Sequence, residues 1–170
     1  MRLFVAIDLP PYMKDAIYSS LYHLLPSQAR VVPKENFHIT LHFIGERDES
    51  ELSEINKRLS SISFYKFHIE VYGTGVFPNP ARPRVLWIGA NANELPILAS
   101  SIVSSLGSTS EEPFVGHITL ARLNHWADVS GFLSQKPSFG SFSPSSFTLK
   151  QSIFSGGGVT YTNLFNYSLL

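Results

Sequence analysis

The stretch His38-Ile39-Thr40-Leu41-His42-Phe43-Ile44-Gly45-Glu46 decides how this chain is read. Its polar and apolar residues alternate and its branched side chains favour extended backbone. It therefore predicts a strand over residues 37–44, closed by Gly45. Residues two apart on a strand share a face, so His38 and Thr40 point one way and Ile39, Leu41 and Phe43 point into the core behind them. The frame returns as His117-Ile118-Thr119-Leu120, inside a second predicted strand over 114–123. There His117 and Thr119 share a face, with Ile118 and Leu120 behind. Thr is ordinary in strands, but packing does not ask for His, so two matching frames point to chemistry. Near neutral pH one imidazole can take a proton while the other gives one. Hydroxyls beside them can donate to the non-bridging oxygens of a phosphate.

Outward from these motifs, strands and helices alternate. Residues 3–7 read as an opening strand ended by Asp8 and Pro10. Met13, Ile17, Leu21 and Leu24 recur at helical spacing over 12–25, and Pro26 stops them. Helices are also predicted over 51–62 and 95–106, with a short one near 129–133. Further strands are predicted over 67–71, 85–88, 147–154 and 161–169. Residues 134–146 are rich in Ser, Pro and Gly and read as a loop. Gly156-Gly157-Gly158 lies between two strands and reads as a hairpin turn. The motif starts differ by 79 residues (117 − 38), and similar element orders surround them. An internal duplication follows, with two similar lobes facing each other in one bilobal domain over residues 1–170.

Composition narrows the function. At 170 residues and 44% hydrophobic content, the chain can bury a full core. Its 13 basic and 13 acidic residues balance, which argues against broad salt-driven coating of nucleic acid but leaves room for a small basic pocket. The absence of cysteine excludes disulfides, thiolate catalysis and cysteine metal sites. No apolar run is long enough for a signal peptide or a membrane span, so a soluble, cytoplasmic protein is expected. A metal site is not: His38 and His42 have the spacing of a helical zinc pair, but the Glu that such a motif needs after the first His is Ile39. On a strand that spacing spans roughly 13 Å, too far for two ligand bonds near 2 Å. Arg122 suits a phosphate by charge and fork geometry. It lies five residues after His117, however, so strict alternation turns it to the opposite face. It reaches the histidines only if a bulge or the strand end re-aims it.

The segments 38–46 and 117–122 (His-Ile-Thr-Leu-Ala-Arg) resemble the 2H phosphoesterase superfamily, and within it the RNA 2′,3′-cyclic phosphodiesterases, also called 2′-5′ RNA ligases. Met1–Asp8 resembles the opening strand of that family, Arg84–Gly89 its middle strand, and Phe154-Ser155 with the glycines and Tyr161 its closing hairpin. The resemblance implies an α+β, bilobal, duplicated fold with two antiparallel sheets facing a central cleft and helices outside. It implies His38 as general acid and His117 as general base, with Thr40 and Thr119 holding the phosphate and Arg122 touching substrate. No cofactor and no metal are implied. The implied reaction opens 2′,3′-cyclic phosphate ends of RNA to 2′-phosphates; run backwards, it joins ends through a 2′-5′ bond. A monomer is expected. The chain departs from the family pattern at Arg30-Val31-Val32-Pro33, where a Trp is common, and at Gly116, where Pro is usual. Three rival readings stay open: a cyclic phosphodiesterase acting on a small nucleotide or ADP-ribose ester, a non-catalytic module that grips RNA ends, and an interaction domain whose motifs are core.

Overall fold

The computed structural model describes all 170 residues. The opening strand β1 (Arg2–Asp8) buries Leu3, Phe4, Val5, Ala6 and Ile7 together. A strand buried on both faces belongs inside a sheet, and β1 lies between β3 (His38–Glu46) and β8 (Ser146–Ser155), antiparallel to both. β9 (Gly158–Ser168) pairs with β8 through the turn at Gly156 and Gly157, both at positive φ. Glycine adopts that conformation without strain, as this tight hairpin requires. The other arm consists of β4 (Ile69–Phe77), β5 (Val85–Asn91), β6 (His117–Arg122) and β7 (Ser138–Phe142). The two-residue β2 (Arg30–Val31) is laid on β6.

The strand order is β7-β4-β5-β6-β3-β1-β8-β9, with every pairing antiparallel. The two sheets expected from the sequence are the two four-stranded arms of this array. They meet only where β3 touches β6, through the single register pair Ile39–Ile118. Both isoleucines are wholly buried, and burial of side chains this size is worth about 1.5–3 kcal/mol each. The helices α1 (Pro11–Leu21), α2 (Leu52–Ser60) and α3 (Glu94–Ser105) bring Met13, Ile17, Ile55, Leu59, Leu98 and Ile102 into the same core. Pro11 suits the first position of α1, where no backbone donor is needed. A short fourth helix, α4 (Ser130–Leu133), adds Phe132.

The register pairs carry the duplication. Ile7 faces Ile39 and Ala6 faces Thr40 in the β1–β3 ladder; Ile88 faces Ile118 and Trp87 faces Thr119 in the β5–β6 ladder. Thus β1-α1-β3 corresponds to β5-α3-β6. The offset between Ile39 and Ile118 is again 79 (118 − 39). Equivalent residues pair with one another, which places an approximate twofold axis between them.

Two segments differ from the sequence reading. The predicted loop 134–146 contains β7, because Phe142 buries itself against Ile69 at the edge of β4. Its Ser-rich composition and Gly140 at positive φ hid a short edge strand. The helix predicted to residue 25 ends at Leu21 and tightens into a 3-10 turn over Tyr22–Leu24.

Candidate active site

Bulges decide which side chains share the cleft. In the β5–β6 ladder Leu86 faces Ala121 but Trp87 faces Thr119, so Leu120 is an extra residue. Leu120 and Ala121 are accordingly both buried in succession. Beyond the bulge the phase is reversed, and Arg122 turns to the face of His117 and Thr119. Its guanidinium acts on His117, lowering its pKa, and on the Tyr161 hydroxyl from the opposite arm. β3 carries the matching irregularity: Val5 faces His42 and Ala6 faces Thr40, leaving Leu41 extra. The same phase change corrects the reading of Phe43. Phe43 is not in the core but 68% exposed, with its ring 6.1 Å from that of Phe4.

His38, Thr40, His117 and Thr119 lie on one face, opposite the buried Ile39 and Ile118. Continuing the Ile39–Ile118 register sets His38 beside Thr119 and Thr40 beside His117. The two histidines are then diagonal neighbours, which an ideal ladder holds about 7–8 Å apart. His117 also contributes to lowering the pKa of His38.

Each ring is oriented by a backbone carbonyl two residues upstream. Nδ1 of His38 lies 2.7 Å from the Asn36 carbonyl, and Nδ1 of His117 lies 2.7 Å from the Val115 carbonyl. A carbonyl only accepts, so both Nδ1 atoms carry hydrogen and each neutral ring keeps its lone pair on Nε2. The Thr40 hydroxyl sits 3.0 Å from Nε2 of His38 and donates to it. Aromatic rings flank both imidazoles. Phe4 and Tyr161 stand 5.2 and 5.1 Å from His38; Phe77 and Trp87 stand 4.9 and 5.9 Å from His117. Burial is the main reason that both pKa values are depressed, His38 to about 4. Lys150 lowers His38 further, while the Asn36 carbonyl and Asp8 oppose the shift.

Sequence reading passed over the support around these groups. Lys150 is buried, with Nζ 2.9 Å from Asp8 and 2.6 Å from Asn163. Asp8 pairs in register with His38. The signal lay in Phe147-Thr148-Leu149-Lys150, where Thr148 and Lys150 are buried although alternation gives them a polar face. Trp87 lies flat over Gly75, where a Cβ would collide with the indole. Gly116 likewise lies against the Ala90 carbonyl, with no room for a Cβ, so the departure at that position is set by local packing. No group of three or more His, Asp or Glu side chains is placed to hold a metal ion, and no helix is long and apolar enough to cross a membrane.

Comparison with known proteins agrees with this geometry. Residues 13–87 match the family described as LigT-like phosphoesterase. An RNA 2′,3′-cyclic phosphodiesterase of Archaeoglobus fulgidus is 39% identical, the alignment covering 96% of this chain and 98% of that protein. The Escherichia coli protein of that description is 31% identical over 99% of this chain and 96% of its own length. The crystal structure of E. coli LigT complexed with 3′-AMP superposes with a TM-score of 0.87 at 30% identity, covering 99% and 97% of the two chains. With two relatives above 30% identity matched along nearly their whole length, and with the two motif strands paired at the centre of the shared fold, the chain belongs to the LigT-like phosphoesterase family.

Proposed function

We propose that this protein hydrolyses 2′,3′-cyclic phosphate ends of RNA to 2′-phosphate ends without a metal ion, using His38 and His117 as its proton-transfer pair. The observation that carries the reading is the one-face grouping of two His-Thr pairs about the Ile39–Ile118 contact. A phosphate seated there meets an imidazole on each side. Neutral His117 takes a proton from water through Nε2 as the water attacks phosphorus. His38 gives the Nε2 proton to the departing 3′-oxygen. Thr40, Thr119 and Arg122 offset charge on the other oxygens. The acid role requires a proton on a ring that is neutral at pH 7 in the free protein. The anionic substrate supplies the opposing charge, raising the pKa of His38 on binding. The same site joins a cyclic phosphate end to a 5′-hydroxyl end through a 2′-5′ bond when that hydroxyl, in place of water, attacks phosphorus and the 3′-oxygen leaves. The reading treats the 170 residues as one bilobal unit acting as a cytoplasmic monomer.

The test is incubation with an oligonucleotide ending in a 2′,3′-cyclic phosphate in excess EDTA, with phosphorus NMR of the product. A 2′-phosphate is expected. A 3′-phosphate would reject the assigned leaving oxygen, and loss of activity in EDTA would reject the metal-free mechanism. Faster turnover of a cyclic mononucleotide or ADP-ribose ester than of the RNA end would move the substrate to the small-molecule class. An intact cyclic phosphate after long incubation would leave a binding module.

A further inference from the structure

The hairpin of β8 and β9 outruns its neighbour. β1 follows β8 only as far as the pair Arg2–Ser152, whereas β8 and β9 stay paired to Ser155 and Gly158. The last three residues of β8 therefore overhang the end of β1, and Phe154 among them is 62% exposed. Core packing does not account for an apolar ring on a solvated overhang. The Arg2 guanidinium lies 5.3 Å from the centre of that ring, a cation–π contact that covers one face and leaves the other to solvent. Glu46, opposite Arg2 on β3, is engaged by the terminal amino group at 3.6 Å, so the guanidinium keeps its charge.

The overhang is continuous with the cleft. Arg2 shares a face of β1 with Phe4, and Phe154 shares a face of β8 with Ser152, the register partner of Arg2. Phe4 packs against both His38 and Tyr161, at 5.2 and 5.1 Å. Tyr161 pairs with Ser152, and its hydroxyl feels Arg2 as well as Arg122. A lane thus runs from His38 over Phe4 and Tyr161 to Arg2 and Phe154. In-line displacement gives the lane a direction. With His38 as the acid, the departing 3′-oxygen and its ribose lie on the His38 side. An RNA chain continues from the 5′-carbon of that ribose, so it leaves over the first arm. Exposed aromatic rings beside an unneutralised cation are what a single strand needs, the rings for its bases and the cation for its backbone.

We propose that the Arg2–Phe154 overhang is a second nucleotide site, which grips the RNA strand just upstream of its cyclic end. Arg2 contacts the phosphodiester that joins the last two nucleotides, and Phe154 stacks on the penultimate base. The proposal rests on the hydrolytic reading above for the direction of the strand. It makes the preferred substrate a chain of two nucleotides or more rather than a cyclic mononucleotide. Stacking accepts every base by its face, so the site reads the presence of a strand and not its sequence.

The test compares adenosine 2′,3′-cyclic phosphate with the adenosine dinucleotide that ends in the same group. The ratio of their kcat/KM values should favour the dinucleotide by about fivefold or more, and Phe154→Ser should bring it down to about one. Both substrates react at the same histidines, so general damage to the cleft cancels in the ratio. Arg2→Gln should lower the slope of log kcat/KM against log salt for the dinucleotide by about 0.7. A native ratio of about one, a ratio unchanged in Phe154→Ser, or a slope unchanged in Arg2→Gln would overturn the proposal. NMR of the Phe154 ring provides a second arm that needs no turnover. The dinucleotide bearing a 2′-phosphate should shift the ring signals more than adenosine 2′-phosphate does, and equal shifts, or none, would reject the site. If neither cyclic phosphate is opened while the ring responds to the dinucleotide, the hydrolytic reading fails and the strand site stands.

Discussion

His38 and His117 occupy equivalent places in two copies of one motif, and their surroundings differ in charge and in access. His38 is the more deeply set. It accepts from Thr40, packs between Phe4 and Tyr161, and faces Asp8, which is tied to the buried Lys150. His117 has Gly89 where His38 has Asp8; its cationic neighbour is the exposed Arg122, and a cavity lies at its flank. Duplication thus supplied two similar bases, and the residues around them made the two unequal. In pairs of titratable groups, that inequality is what assigns acid and base roles.

The sharpest way to break the comparison is to remove each imidazole. His38→Ala and His117→Ala should each lower kcat/KM by about 10²- to 10⁴-fold, equivalent to roughly 3–5 kcal/mol. The surviving pH profile separates the roles: His117→Ala should lose the acid limb and His38→Ala the alkaline limb. The opposite pattern would exchange acid and base. In the native protein the kcat/KM optimum should lie on the acid side of neutrality, because the free histidines are both depressed, His38 to about 4. The kcat optimum should lie higher, since the bound phosphate raises His38.

The buried ring should also show in stability. An unfolded His38 titrates near 6.5 and the folded one near 4. Between those values the unfolded chain binds the extra proton, so stability is full above 6.5 and is lost as pH falls toward 4. The loss is roughly 3 kcal/mol. Denaturant titrations of the native protein and His38→Gln across that window should diverge by about this amount, and parallel curves would reject the burial argument.

Lys150→Met removes a cation that lowers His38 and frees Asp8, which raises it. The alkaline limb of kcat/KM should move to higher pH, and stability should drop by about 1–3 kcal/mol as Asp8 and Asn163 lose their donor. Tyr161 from β9 and His117 also face this ring, so Asp8→Asn is the control and should move the limb the other way. The smallest effect belongs to the hydroxyls. Thr40→Val removes a donor to Nε2 and should raise the His38 pKa by an amount equivalent to about 0.5–1.5 kcal/mol. Thr119→Val should leave His117 nearly unmoved, because no hydrogen bond joins them in the free protein. NMR titration of both imidazoles distinguishes these outcomes.

The local sequence already held the two motif strands, the three longer helices, the closing hairpin and the pairing of each His with a Thr. These depend on spacing and side-chain type, which act over a few residues. Alternation failed where a ladder gained a residue: nothing local distinguishes Leu41 or Leu120 from its neighbours, so Phe43 was turned inward and Arg122 outward. The edge strand β7 was missed because its stability comes from β4 rather than from its own Ser-rich composition. Lys150 went unnoticed for a similar reason, since its partners Asp8 and Asn163 lie on other strands.

What residue order alone determined is a protein with two matched His-x-Thr motifs on rigid apolar strands, because period-two patterning and residue chemistry are properties of short segments. What only the tertiary structure decided is that Ile39 meets Ile118, that the bulge at Leu120 turns Arg122 to the face of His117, and that one histidine is half-buried near a buried lysine while the other borders a cavity. Those features arise from contacts between distant strands, whose register is set by the packing of the whole sheet.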